Sequence, residues 1–175
     1  MLGAVLGGYG ERSTHSAGTM LHCAWRTELH GERTTTMLVL TRRDVYELVP
    51  MSDAIELVKR AFRDLSGGMA HAPLRTPIEI PDAHGTTLFM PAFVPSLQGL
   101  GLKVVSVFPD NPARYGKPTI HAAVLTVSPE TGEPNALLDG TYLTALRTGA
   151  ASGAATDLLA RPDARTLLVI GAGAQ

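Results

Sequence analysis

The closing ten residues constrain this chain more than any other stretch. Leu167, Leu168, Val169 and Ile170 follow Thr166 as a compact apolar run, and the run passes straight into Gly171-Ala172-Gly173-Ala174-Gln175. An apolar strand entering a G-x-G turn is how a dinucleotide-binding βαβ unit opens, with the next helix presenting its N-terminal N–H groups to a pyrophosphate. Arg161-Pro162-Asp163-Ala164-Arg165 supplies the breaker that such a strand needs in front of it. The pattern predicts a buried strand over 166–170, and it places the third glycine, the helix and the second strand beyond Gln175. A G-x-G pair is common by itself, so an ordinary surface strand with a glycine-rich tail is the competing reading.

The 175 residues are 45 % hydrophobic and 18 % charged, which is globular composition with enough apolar material for a core. A formal net charge of -1 leaves no basic field for a polyphosphate backbone and argues against nucleic acid as a partner. No run approaches the roughly 20 apolar residues that a bilayer-crossing helix needs, so no membrane is expected. The single cysteine, Cys23, excludes an internal disulfide, and His22 beside it does not make a metal site, so no metal is expected. A cytoplasmic setting fits these features.

Residues 1–36 differ from the rest. Gly7-Gly8-Tyr9-Gly10, scattered His15, His22 and His30, and Thr34-Thr35-Thr36 show no sustained periodicity, and no cationic start marks a signal peptide. This segment is expected as a disordered extension. From Met37 the pattern becomes regular: a strand over 38–40, then Thr41 as N-cap of a helix reaching Leu48, with Pro50 as the break. A second helix starts at Ser52 or Asp53, carries Ile55, Val58, Phe62 and Leu65 on its apolar face, and closes at Gly67-Gly68. Glu56, Lys59, Arg60 and Arg63 read as its solvated face. Strands are predicted over 75–80, 86–90, 102–108 and 120–127, each closed by turn chemistry. Short strands with tight connections predict an α+β domain over 37–160, a mixed or antiparallel sheet packed by the early helices, leading into the first strand of an α/β Rossmann domain at 161–175.

A helix over 141–160 is unusual in content. Gly149 and Gly153 lie inside it among alanines and serines, and each glycine costs roughly 1 kcal/mol relative to alanine, so close approach of another element is required in compensation. Arg147 fits such a helix badly, because a cation among small apolar neighbours needs an anionic partner. That partner is either a structural carboxylate or a ligand carboxylate or phosphate. Lys103 stands inside an apolar strand on the face of Val105 and Val107, and Arg75 opens another strand. The three cations could converge on one carboxylate; for Lys103 the alternative is an edge-strand charge that blocks aggregation.

Leu100-Gly101-Leu102-Lys103-Val104-Val105, Phe108-Pro109-Asp110-Asn111-Pro112, Pro118-Thr119-Ile120-His121, Asp139-Gly140-Thr141-Tyr142-Leu143-Thr144-Ala145-Leu146-Arg147-Thr148-Gly149 and Leu168-Val169-Ile170-Gly171-Ala172-Gly173-Ala174-Gln175 together resemble the ornithine cyclodeaminase and mu-crystallin family, in order, from Met37 onward. The resemblance implies a substrate-binding and dimerisation domain followed by a Rossmann domain that holds NAD or NADP, with a homodimer as the full-length form. It implies that Arg75, Lys103 and Arg147 grip the substrate carboxylate, that Thr119 and Thr148 approach the cofactor, and that Gly171, Gly173, Ala174 and Gln175 begin its phosphate turn. The family's catalytic aspartate is expected beyond Gln175, so these residues alone are not expected to form a competent enzyme.

Family chemistry moves a hydride between an amino-acid α-carbon and a nicotinamide, and this requires that the carboxylate be fixed. At the position where the resemblance implies a glutamate in cyclodeaminases, this chain has Met90, a thioether that cannot handle an amine. The expectation is therefore an imine reductase (ketimine or pyrroline-carboxylate) or amino-acid dehydrogenase acting on a small amino-acid or cyclic imino-acid substrate. Ornithine cyclodeamination and a non-catalytic ligand-binding or dimerisation module are the alternatives. His121 reads as a structural histidine.

Overall fold

The computed structural model describes residues 37–171, so the segment 1–36 with His22 and Cys23, and the turn residues Gly173, Ala174 and Gln175, lie outside the described residues. Thr41 follows the short strand β1 (Leu38–Leu40) and caps α1 (Arg42–Leu48). Its hydroxyl accepts from the Asp44 N–H at 3.4 Å while the Asp44 carboxylate accepts from the Thr41 N–H at 2.8 Å, a reciprocal pair that satisfies two orphan donors. Pro50 then caps α2 (Met51–Ser66) with its own fixed φ. The remaining elements are β2 (Thr76–Ile80), β3 (Gly85–Val94), β4 (Gly99–Val107), α3 (Asn111–Tyr115), β5 (Ile120–Val127), β6 (Pro134–Asp139) and α4 (Gly140–Leu159).

The strands form one mixed sheet in the order β1-β6-β5-β4-β3-β2, antiparallel throughout except for the parallel pair β1 and β6. Helices α2 and α4 cover one face. Val124, Ala136 and Leu138 of the sheet meet Leu143, Leu146, Ala150 and Ala154 of α4 and Ala54 and Val58 of α2 in the main core. A smaller cluster of Ala61, Val94 and Leu97 closes the other end. No described element covers the opposite sheet face, where Val39, Ile78 and Leu137 are exposed and Phe89, Leu102, Val104 and Leu125 half-buried.

Four features differ from the sequence reading. Strand β6 occupies 134–139, which had read only as the approach to a helix; its alternation, Ala136 and Leu138 inward and Leu137 outward, is too short to stand out beside Pro134. Strand β3 continues through Pro91 to Val94 rather than ending there. β2 pairs only with residues 85–89 of β3, so Pro91 sits where no ladder donor is needed on that side.

On α2 the buried stripe is Ala54, Val58, Ala61 and Asp64, whereas Phe62 and Leu65 are 44 % and 48 % exposed. Toward its C-terminal end the inner face of α2 is the small Ala61, packed on Val94 and Leu97, so bulk does not mark that face there. Ile55 and Met51 pack where Gly153 and Gly149 lack side chains: an added Cβ at Gly153 would lie 2.8 Å from Ile55 Cδ1 and one at Gly149 3.4 Å from Met51 Cε. Lys59, expected on the solvated face, instead reaches across this seam to Asp157 of α4 and also pairs with Glu56.

The fourth difference is the terminal run. Residues 166–170 form no strand, and Leu167, Leu168, Val169 and Ile170 are exposed. A parallel strand obtains its hydrogen bonds from a neighbouring strand and its burial from a crossover helix, and the described residues supply neither.

The start of α4 is set by a closer approach still. A Cβ at Gly140 would fall 2.7 Å from the Ala122 carbonyl carbon and the Ala123 nitrogen, both backbone atoms of β5 that cannot swing aside. The Asp139 carboxylate accepts from the Tyr142 N–H at 2.8 Å, and Thr141 Oγ1 accepts from the Ala122 N–H at 3.1 Å, which pins the helix start to the sheet. Gly140→Ala should therefore destabilise the fold by about 1–3 kcal/mol, the reverse of the helix-propensity gain, and chemical denaturation would measure it.

Candidate functional site

Strand β4 is the centre of the site because it is flanked on both sides, by β3 and β5. Lys103 lies in its middle, on the helix-covered face, and is only 9 % exposed. The edge-strand reading of this lysine is thereby excluded. Met90 on β3 and Val124 on β5 stand opposite it at the same register, so the stem runs between two apolar walls. Arg147 projects from α4 into the same place, three residues before the fully buried Ala150 that holds the helix against the sheet. Lys103, Arg147, Met90 and Val124 all line one half-open pocket of about 190 Å³, together with Ala72, Pro73 and the Ala92 and Gly101 pair.

The electrostatics are one-sided. Burial, then the Arg147 charge, then the Arg75 charge hold the Lys103 ammonium below its ordinary pKa. Arg75 is exposed just before β2 and does not line the pocket, but its charge reaches Lys103. Among the described residues the ion pairs use other cations, and none includes Arg75, Lys103 or Arg147. The structural-carboxylate alternative for Arg147 thus finds no support among the described residues. A buried cation with two cationic neighbours is costly, and an anion entering the pocket relieves desolvation and repulsion together.

The expected cofactor-facing residues are not brought into this pocket. Thr148 neighbours Arg147 on α4, and its hydroxyl donates to the Thr144 carbonyl at 2.9 Å, leaving its oxygen lone pairs available. Thr119 precedes β5, where its carbonyl accepts from the Phe108 N–H at 2.8 Å. Gly171 has φ +95°, a conformation that favours glycine and suits the tight turn expected there. His121 is an exposed strand residue opposite Ser106, away from the pocket. The residues that sequence reasoning missed are Ala72, Pro73, Ala92, Gly101 and Val124. Their small or apolar side chains carry no chemical signal; strand register brings Ala92, Gly101 and Val124 beside Lys103, and the path of the chain into β2 brings Ala72 and Pro73.

The sequence profile of the ornithine cyclodeaminase/mu-crystallin family matches residues 35–175. The chain belongs to this family. It is 43 % identical over 139 residues to a delta(1)-pyrroline-2-carboxylate reductase of Bacillus cereus, an alignment covering 79 % of this chain and 42 % of the relative. Among solved structures it resembles the Thermococcus litoralis delta(1)-pyrroline-2-carboxylate reductase in complex with NADH and L-proline, with 47 % identity, a TM-score of 0.67, and coverage of 73 % of this chain and 39 % of that one. It also resembles an archaeal alanine dehydrogenase dimer with bound NAD, at 41 % identity and a TM-score of 0.66, covering 73 % of this chain and 38 % of that one. The chain thus spans less than half the length of these family members.

Membership in the family leaves the physical test of the site to this chain's own residues. Replacing Lys103 with Met removes a buried, repelled cation, so Lys103→Met should stabilise the unliganded protein by about 1–4 kcal/mol at neutral pH while weakening carboxylate binding. The folded-state pKa of Lys103 lies below its unfolded value, so the unfolded chain binds more protons between the two. The wild-type deficit is therefore full below the lowered pKa and shrinks as pH rises through it. Paired denaturation curves of the wild type and Lys103→Met at neutral and alkaline pH test this.

Proposed function

We propose that this chain forms the substrate-gripping part of a nicotinamide-dependent imine reductase or amino-acid dehydrogenase. The observation that carries the reading is Lys103, buried in a central strand between Met90 and Val124 and repelled by Arg147 and Arg75, with no carboxylate to neutralise it among the described residues. A substrate carboxylate is the group such a cluster fits: arginine offers a planar fork and lysine a point charge.

In this reading Arg147 and Lys103 seat the carboxylate, and Arg75 strengthens the field from the rim. Fixing that end of the substrate leaves its α-carbon for a nicotinamide dinucleotide, for which we assign Thr148 and the turn that starts at Gly171 as the receiving residues. When bound, the dinucleotide supplies or accepts the hydride at the α-carbon. The protein's part is orientation, which is worth most when the reacting atoms are held at near-attack distance. The pocket walls contributed by Met90, Pro91, Ala92 and Val124 contain no acid to bind a side-chain amine, and this favours small apolar or cyclic substrates over ornithine. NAD and NADP are equally compatible with the described residues.

The relatives named above support the chemistry, and the alanine dehydrogenase dimer among them supports a homodimer. The uncovered sheet face, with Val39, Ile78 and Leu137 exposed, is the surface we assign to dimer formation. No helix among the described residues is long and apolar enough to cross a membrane. With the protein expressed from its complete reading frame, NAD(P)H should be consumed with a cyclic imino acid such as pyrroline-2-carboxylate, or with pyruvate and ammonia. Ornithine should release no ammonia; if it does, the cyclodeaminase reading replaces this one. Arg147→Met should lower kcat/KM by about a hundredfold or more, in line with the 2–5 kcal/mol cost of breaking a hydrogen-bonded charge pair.

A further inference from the structure

We infer that Ala92 and Gly101 determine which substrates fit, by leaving a gap in the core beside Lys103 for the part of the ligand that is not the carboxylate. This inference rests on the carboxylate-seat reading above and adds to it the residues that set ligand size. Cross-strand rows on the helix-covered face show how the gap arises. The row through Met90, Lys103 and Val124 is filled by long or branched side chains. The next row is Ala92, Gly101 and Thr126, and there β3 and β4 contribute only a methyl group and a hydrogen beside the β-branched threonine of β5. Thr126 is 3 % exposed, and its hydroxyl is directed to the Ala136 carbonyl at 3.5 Å, on the β6 side. The row beyond is closed by Val94, which belongs to the smaller core cluster with Ala61 and Leu97.

The pocket therefore lies between the two core clusters, at the one row where β3 and β4 present almost no side chain. Rows on the same face are about 7 Å apart along a strand, so a carboxylate at Lys103 places a compact substituent over Ala92 and Gly101. Among the described residues no charged side chain other than Lys103 and Arg147 lines the pocket, so the substituent that fits is an uncharged ring or short hydrocarbon chain. Pro73 and Ala72 bound it from the chain leading into β2, and Met90 from the neighbouring row of β3.

The test compares two probes on the protein expressed from its complete reading frame: L-proline, which fills the gap, and acetate, which occupies only the carboxylate seat. Binding is followed by calorimetry or ligand-observed NMR for the wild type, Ala92→Val, Ala92→Leu and Arg147→Met, with thermal melts confirming that each is folded. Ala92→Val and Ala92→Leu should weaken proline progressively, by about tenfold or more for the leucine, and acetate by less than about threefold, since hydrophobic pocket discrimination is worth 10–200-fold. Arg147→Met should weaken both probes. If the Ala92 variants weaken the two probes equally, or leave proline unchanged, the gap is not the size filter and the inference is overturned, while loss of acetate in Arg147→Met still supports the seat. If Arg147→Met leaves acetate unchanged, the seat itself is wrong, and the inference falls with it.

Discussion

The site depends on one arrangement: an ammonium group carried into the middle of a sheet, repelled by its neighbours and left without a counterion among the described residues. Lys103 can be held there because β4 is paired on both sides and its backbone cannot yield to the repulsion. Met90 and Val124 remove water from its stem, and Arg147 arrives from the helix above. The destabilisation is local and is released when an anion enters. Stability and affinity are thus opposed at this residue, which is how binding sites commonly differ from the cores that support them.

Arg147 reaches the pocket from a helix held close to β5 at its start and close to α2 along its length. Gly140 admits the backbone of β5, and Gly149 and Gly153 admit the side chains of α2. Larger residues at these points would lift the helix and withdraw the guanidinium from Lys103. The glycines that weaken the helix intrinsically are the same ones that make the charge cluster possible, so their cost in helix propensity is recovered in packing. Lys59 adds a tie between α2 and α4 through Glu56 and Asp157, and part of that ion-pair network is shielded by the seam it crosses.

Much of this was legible in the sequence. The cap at Thr41, the break at Pro50, the extent of β5 and the long small-residue helix all follow from local chemistry that acts within a few residues. The placement of Lys103 on the face of Val105 follows from alternation alone. Phe62 and Leu65 share the helical period of Ile55 and Val58, but at their end of α2 it is Ala61 that packs on Val94 and Leu97, and a helical period alone does not tell which turn of the stripe is covered. Pro91 was misread as a strand end because the absence of a partner on one side of β3 is a property of the sheet, not of the peptide.

Residue types, their periodicity and the family motifs determined that this chain would form an α+β fold with three unexplained cations and a small-residue helix, because each of those signals is carried by neighbours in the sequence. Only the tertiary structure decided that β4 is central, that Lys103 has no acid beside it among the described residues, and that Ala92 and Gly101 face each other across a gap. Those facts depend on strand register and on the distance of a helix from a sheet. Residues far apart in the chain fix both, and no local pattern encodes them.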